Sequence, residues 1–241
     1  DNWDASNLGD YYLQWAKENF DGQYTEDIAH ILKLYTKYNA RRKPELLDAS
    51  TYSLTHYNEA EKVVSDYNEL AKKAQEINNQ LKPEYKDAYY QLILYPVLAG
   101  ANLNELYLAT AKNHLYANQG RTSANEYAKK VKELFEKDAE LTDYYHKKMA
   151  NGKWNHMMSQ THIGYTYWQQ PNENSIPTTK IIENQNTPEM GIAVEGTANW
   201  WPNSTAEALL PTFTSYENKG YYFDIFNRGT QPFQFKISSK S

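Results

Sequence analysis

Through roughly the first 150 residues, apolar side chains recur at steps of three and four. That is the period of helices burying one face. Tyr11, Tyr12, Trp15 and Ala16 make a first short face, closed by Asp21-Gly22. Thr25 opens a second helix, with Glu26 and Asp27 at its positive end and a stripe of Ile28, Ile31, Leu32, Tyr35 and Tyr38. Pro44 disfavours the α conformation at Lys43, so a boundary is expected there. The spacing of Tyr57, Ala60, Val64, Tyr67, Ala71, Ala74 and Ile77 predicts a third helix from about Leu54 to Leu81. Pro83 suits a first helical position and begins a fourth helix running to Asn118. This helix is apolar all round from Leu92 to Ala99, which marks it as central, and Pro96 predicts a kink near Leu92 to Pro96. After Gly120, Thr122 or Ser123 caps a fifth helix, with Glu126 completing a capping box. Its face is Tyr127, Ala128, Val131, Leu134, Phe135, Leu141 and Tyr145, and Asn151-Gly152 ends it.

Beyond Gly152 the helical period stops. Residues 153–189 hold no sustained period and contain Pro171, Pro177 and Pro188. Long connections of this kind usually have a function. Ile192 to Val194, Leu209 to Phe213 and Tyr221 to Phe226 read as strands, with Trp200-Trp201-Pro202 a turn or edge element. Asn227-Arg228-Gly229 is a turn signal, and Phe233, Phe235 and Ile237 alternate on one face. The fold class is therefore mostly α with a small β part. An antiparallel bundle of about five helices (1–152) leads into an ordered connecting loop (153–189). A few antiparallel strands follow (190–241), too few for an independent sheet.

Composition narrows the function classes. The net charge of -5 leaves no basic footprint for nucleic acid. No segment is read as the run of ~20 apolar residues that crosses a membrane. The absence of cysteine excludes disulfides, thiolate metal sites and a Cys nucleophile. No signal peptide opens the chain, which starts at Asp1-Asn2-Trp3-Asp4 on the edge of a helical pattern, as an excised piece would. Tyrosine is the outlier, with 22 residues beside six Trp. Aromatic faces stack on sugar rings, but tyrosines also fill helix interfaces with the hydroxyl at the edge.

Candidate chemistry concentrates in two irregular stretches. In the loop from Gly152 to Pro171, Lys153, Trp154, His156, His162 and Trp168 crowd together. A loop so rich in large side chains is a domain joint or a site. The histidines match no zinc spacing, with no Cys or HExxH beside them, so no metal is assigned; they are expected to hydrogen-bond the loop backbone. The second stretch is Arg41-Arg42-Lys43-Pro44-Glu45. Its arginines could hold a substrate carboxylate through bidentate bonds, or form a salt-bridged helix end with Glu45. Arg41 or Lys153 would supply positive charge toward a uronate. Glu59, Glu61, Glu69 and Glu133 read as solvated helix positions rather than catalytic acids. No nucleophile elbow, phosphate loop or dinucleotide fingerprint is present.

Several motifs resemble the glycoside hydrolase family 115 α-glucuronidases. They are the stretch 152–168, Arg41 to Glu45, Tyr52-Ser53-Leu54, Leu94 to Val97, Gly191 to Gly196, Trp200-Trp201-Pro202 and Asp224 to Gly229, in the family's order. The resemblance implies a parent that removes glucuronic or 4-O-methylglucuronic acid from α-1,2 branches of xylan, with inversion. It implies a catalytic barrel elsewhere, with this chain matching the helical region and the opening of a C-terminal β-sandwich. It carries no catalytic residue onto this chain and implies no cofactor. The implied partners are xylan or a glucuronoxylo-oligosaccharide, the parent's own barrel and a second protomer, with no nucleic acid and no membrane. The implied location is secreted or periplasmic. On this reading the chain buttresses the barrel. Arg41, Arg42, Glu45, Lys153, Trp154, His156, His162 and Trp168 are the residues expected nearest a substrate. The competing readings are a stand-alone carbohydrate-binding module, using Trp3, Trp154, Trp168, Trp200 and Trp201 as a stacking platform, and a protein-interaction bundle.

Overall fold

The computed structural model describes residues 6–20, 22–165, 169–216 and 218–238. Trp3, Asp21 and Trp168 lie outside them. The chain is mostly helical with a small antiparallel sheet. The helices are α1 (Tyr11–Asn19), α2 (Thr25–Asn39), α3 (Glu59–Gln80), α4 (Pro83–Tyr89), α5 (Tyr95–Asn118) and α6 (Ala124–Lys147). The strands are β1 (Met190–Val194), β2 (Trp200–Trp201) and β3 (Phe223–Asn227). Two compact units emerge: residues 1–48, 62–107 and 133–176 form one, and 49–61, 108–132 and 177–241 form the other. Helices α3, α5 and α6 contribute residues to both.

The first unit is built around aromatic side chains. Phe20, fully buried, meets the rings of Trp15, Tyr85 and Tyr89 at 5.8, 6.4 and 5.7 Å, all edge-on. Ile28 and Ile31 of α2, Leu70, Ala74 and Ile77 of α3, and Tyr145 of α6 complete the core. The tyrosines here bury their rings and spend their hydroxyls locally. Tyr89 donates to the Ala74 carbonyl at 3.1 Å and Tyr24 to the Gln80 amide oxygen at 2.8 Å. Helix α3 begins at Glu59, later than its apolar spacing predicts. Tyr57 and Asn58, just before it, have φ of 63° and 50°, a left-handed pair that a helix cannot contain.

Pro96 acts as its chemistry requires. With no N–H and a ring that crowds the carbonyl four residues back, it follows a π-helical turn over Tyr90–Leu94 that joins α4 to α5. The whole run Pro83–Asn118 is long and apolar enough to cross a membrane by length and composition, contrary to the expectation from sequence, but most of its apolar window is buried inside this structure. Asn102 Nδ2 donates to the Leu134 carbonyl at 2.9 Å, while the Oδ1 atoms of Asn102 and Asn104 are buried with no hydrogen-bond partner among the described residues.

In the second unit the strand order is β2-β1-β3, all antiparallel, with Ile192 opposite both Trp201 and Ile225. The segment before β1 is held by side-chain amides. Asn113 donates to the Lys180 carbonyl at 2.9 Å and accepts from the Lys180 N–H at 2.7 Å. Asn125 does the same for Ile182 at 2.9 and 3.0 Å. Two asparagines thus replace a neighbouring strand for residues of alternate register. Gly120, with φ of 68°, ends the run after α5, and a side chain there would meet Arg228 Nε at 3.0 Å. Leu209 to Phe213, expected as a strand, forms none, and Leu209 and Phe213 stand about two-thirds exposed. Phe233, Phe235 and Ile237 likewise form no ladder. Alternation fits a strand only where a partner edge is present to pair with it.

Candidate functional site

A cleft of about 810 Å³ lies wholly within the first unit. One wall comes from the end of α2 and the turn that follows. Lys43 is extended (φ -61°, ψ 134°), as a residue before proline must be, and Pro44 opens a 3-10 turn, Pro44–Leu46. Tyr35, Asn39, Pro44 and Glu45 face the cleft from there. Tyr95 and Gly100 of α5, Asp138 and Tyr145 of α6, and the loop from Met157 to Tyr165 supply the rest. Gly100 allows close approach, since a Cβ there would sit 3.1 Å from the Tyr67 ring and 3.6 Å from that of Tyr35.

Asp138 and His162 set the electrostatics. Asp138 is buried (5% exposed). His162 Nε2 lies 3.0 and 2.9 Å from its two carboxylate oxygens, and His162 Nδ1 lies 3.0 Å from the Gln160 carbonyl. Both ring nitrogens face acceptors, an arrangement only the doubly protonated imidazolium satisfies. Burial alone would push the imidazole down. The hydrogen bond and charge of Asp138, with the Gln160 carbonyl, outweigh it and raise its pKa above the usual value. The loop is also tied by Asn174 Oδ1, which accepts the His162 and Ile163 amides at 2.8 and 3.0 Å. Tyr35 and Tyr95 are held above the ordinary phenol range, first by burial, so their hydroxyls stay neutral. No lysine or arginine is among the described lining residues, and Glu45 adds a carboxylate beyond the Asp138–His162 pair. The cleft therefore suits neutral, hydrogen-bonding, ring-shaped groups better than anions.

The family model for glycosyl hydrolase family 115 matches residues 1–46. Over those residues the chain is similar to glycosyl hydrolase family 115. No curated protein matches it. The residues matched to the glycosyl hydrolase model include α1 and α2 and stop at Leu46, so Tyr35, Asn39, Pro44 and Glu45 on the cleft wall all fall inside the match.

Of the residues singled out from sequence, Glu45 and His162 are brought together on the cleft. Arg41 pairs with Asp66 of α3 at 2.5 Å and stacks over Tyr38, and Arg42 Nε donates to the Leu46 carbonyl at 3.1 Å. Lys153 lies over the Trp154 ring, which packs against the core. The His156 ring is exposed, 6.2 Å from that of His146, whose Nε2 accepts the Met158 amide at 3.0 Å. None of these five is among the cleft's described lining residues, and Trp168 lies outside the described residues. Among the described residues no group of three or more His, Asp or Glu could hold a metal ion.

Asp138 was not singled out from sequence, although it carried a signal. It stands seven residues after Val131 and seven before Tyr145, on the apolar stripe of α6. A lone carboxylate at such a position needs a partner. The tyrosines of the wall carried no signal of their own, because Tyr35 and Tyr95 read as core.

Proposed function

We propose that this chain is an accessory region of a xylan α-1,2-glucuronidase. In the longer protein it buttresses the catalytic barrel and takes part in protomer contacts, while the bond-breaking carboxylates lie outside this chain. The parent acts on glucuronic or 4-O-methylglucuronic acid branches, in a secreted or periplasmic setting. The observation that carries the reading is the family match over residues 1–46, whose side chains build a wall of the 810 Å³ cleft. The engagement of the described tryptophans supports it over a stacking platform. Trp15 and Trp154 pack against the core, Trp200 lies 4.0 Å beneath the Arg228 guanidinium, and Trp201 Nε1 donates to the Ala206 carbonyl at 2.7 Å. Arg41 is already committed to Asp66, which supports a structural role for that corner.

The test is the intact longer protein, assayed for acid release from glucuronoxylan with and without Arg41→Ala and Lys153→Ala together. Release with kcat and KM unchanged by the double variant is expected for a buttress. A raised KM would instead assign these cations to uronate binding, and no release from the unmodified protein would remove the proposal.

A further inference from the structure

A second cavity, about 440 Å³, lies wholly within the second unit, at the small end of the range for ligand pockets. Two ion pairs stand on its wall: Lys112 Nζ to Glu61 Oε1 at 3.1 Å, and Arg121 Nη1 to Asp224 Oδ2 at 2.9 Å. Two cations and two carboxylates cancel. Burial pushes the Lys112 ammonium down, but its neighbours, with the Glu61 carboxylate the one charged at neutral pH, more than offset it and hold its pKa above the usual value, so the balance persists. Arg121 is fixed in place. It is 6% exposed, lies between the rings of Tyr116 and Phe226 at 4.3 and 4.0 Å, and donates through Nε to Gln119 at 2.6 Å.

Glu61 reads from sequence as a solvated helix position, and its side chain keeps 39% exposure while one of its oxygens is buried. Its Oε1 accepts from Lys112, and its Oε2 is buried with no hydrogen-bond partner among the described residues. That oxygen is shielded, so Glu61 meets the cavity through the oxygen it shares with Lys112. Tyr116 and Tyr222 line the same cavity. Burial holds both phenols up, against the pull of Lys112 and Arg121 at Tyr116 and with Glu195 adding to it at Tyr222, which is pushed up to about 12, so both remain neutral hydroxyls.

We propose that this cavity binds a small, neutral, polyhydroxylated molecule about the size of one sugar ring. The wall offers acceptors at Glu61 and Asp224, donors at Lys112, and phenols that do either. A ligand of net charge finds no countercharge left over, because each ion on the wall already has its partner. A polyol donates to the Glu61 and Asp224 carboxylates and accepts from the ammonium without disturbing either pair. The inference rests on the second unit alone and does not require the glycosyl hydrolase relation.

The experiment titrates the whole chain with D-glucose, D-glucuronate and D-glucosamine at slightly acidic pH, followed by saturation-transfer NMR. The three probes share a ring and differ in charge. Glucose is expected to bind roughly tenfold more tightly than either charged probe, as expected for a charge brought near a balanced, partly exposed wall. Glu61→Gln leaves the wall one unit positive and shifts the order toward glucuronate. Lys112→Met leaves it one unit negative and shifts the order toward glucosamine. Thermal unfolding confirms that each variant is folded, and the wild-type series decides the question if one is not. Binding of either charged probe as tight as glucose, no binding of glucose, or folded variants that keep the wild-type order would each overturn the proposal.

Discussion

Replacing Asp138 with Asn removes the charge that holds the cleft loop to α6. In the native protein the His162 ring donates from both nitrogens, to the Asp138 carboxylate at 2.9 Å and to the Gln160 carbonyl at 3.0 Å. A hydrogen bond to a charged group contributes about 1.5–3 kcal/mol. The His162 side chain keeps 29% exposure, and solvent screening brings the expected loss to about 1–2 kcal/mol. The effect depends on pH with a definite sign. The folded-state pKa of His162 is raised, so the tether contributes fully below the unfolded value of about 6.5 and is lost as pH rises through the folded value. Urea unfolding across that window, followed by tryptophan fluorescence, should show the wild type losing stability as pH rises. Asp138→Asn should be weaker at acidic pH and have a shallower dependence, and His162→Gln should lack the His162 contribution altogether. An NMR titration of the His162 ring gives the pKa directly. A His162→Gln variant with the full wild-type pH dependence, or a ring that titrates at or below the unfolded value, would refute the reasoning.

Two further substitutions test the units separately. Phe20→Ala empties a fully buried site among three aromatic rings in the first unit; the expected loss is about 3–5 kcal/mol, read as a shift in denaturation midpoint. Asn113→Ala strips the Lys180 backbone of both its amide partners in the second unit. It should destabilise by about 2–4 kcal/mol, allowing about 1–3 for each buried polar group left unpaired, and tryptic cleavage after Lys180 should accelerate.

The helices were legible because their stripes keep one period. Ile28 and Ile31, or Val131, Leu134 and Tyr145, are buried as their spacing requires. Pro96 announced an irregular helix, though the form it took, a π turn, follows from packing that the sequence does not display. The late start of α3 was hidden, because nothing in the identities of Tyr57 and Asn58 demands two consecutive left-handed residues. Strand pattern proved ambiguous for a similar reason. Ile192 to Val194 and Ile225 found partners, whereas Leu209 to Phe213 has the same local character and none. For the cleft, Glu45 and His162 were legible as large polar residues in irregular chain. Asp138 was legible in principle, as a charge on an apolar stripe, while Tyr35 and Tyr95 could not be told from core until the backbone had placed them.

The most direct measurement of the central claim compares acid release from glucuronoxylan by the longer protein and by this chain alone, at equal molar concentration. An accessory region predicts release by the longer protein and none by the chain alone. Release by the chain alone would place the catalytic groups within these 241 residues and contradict the account.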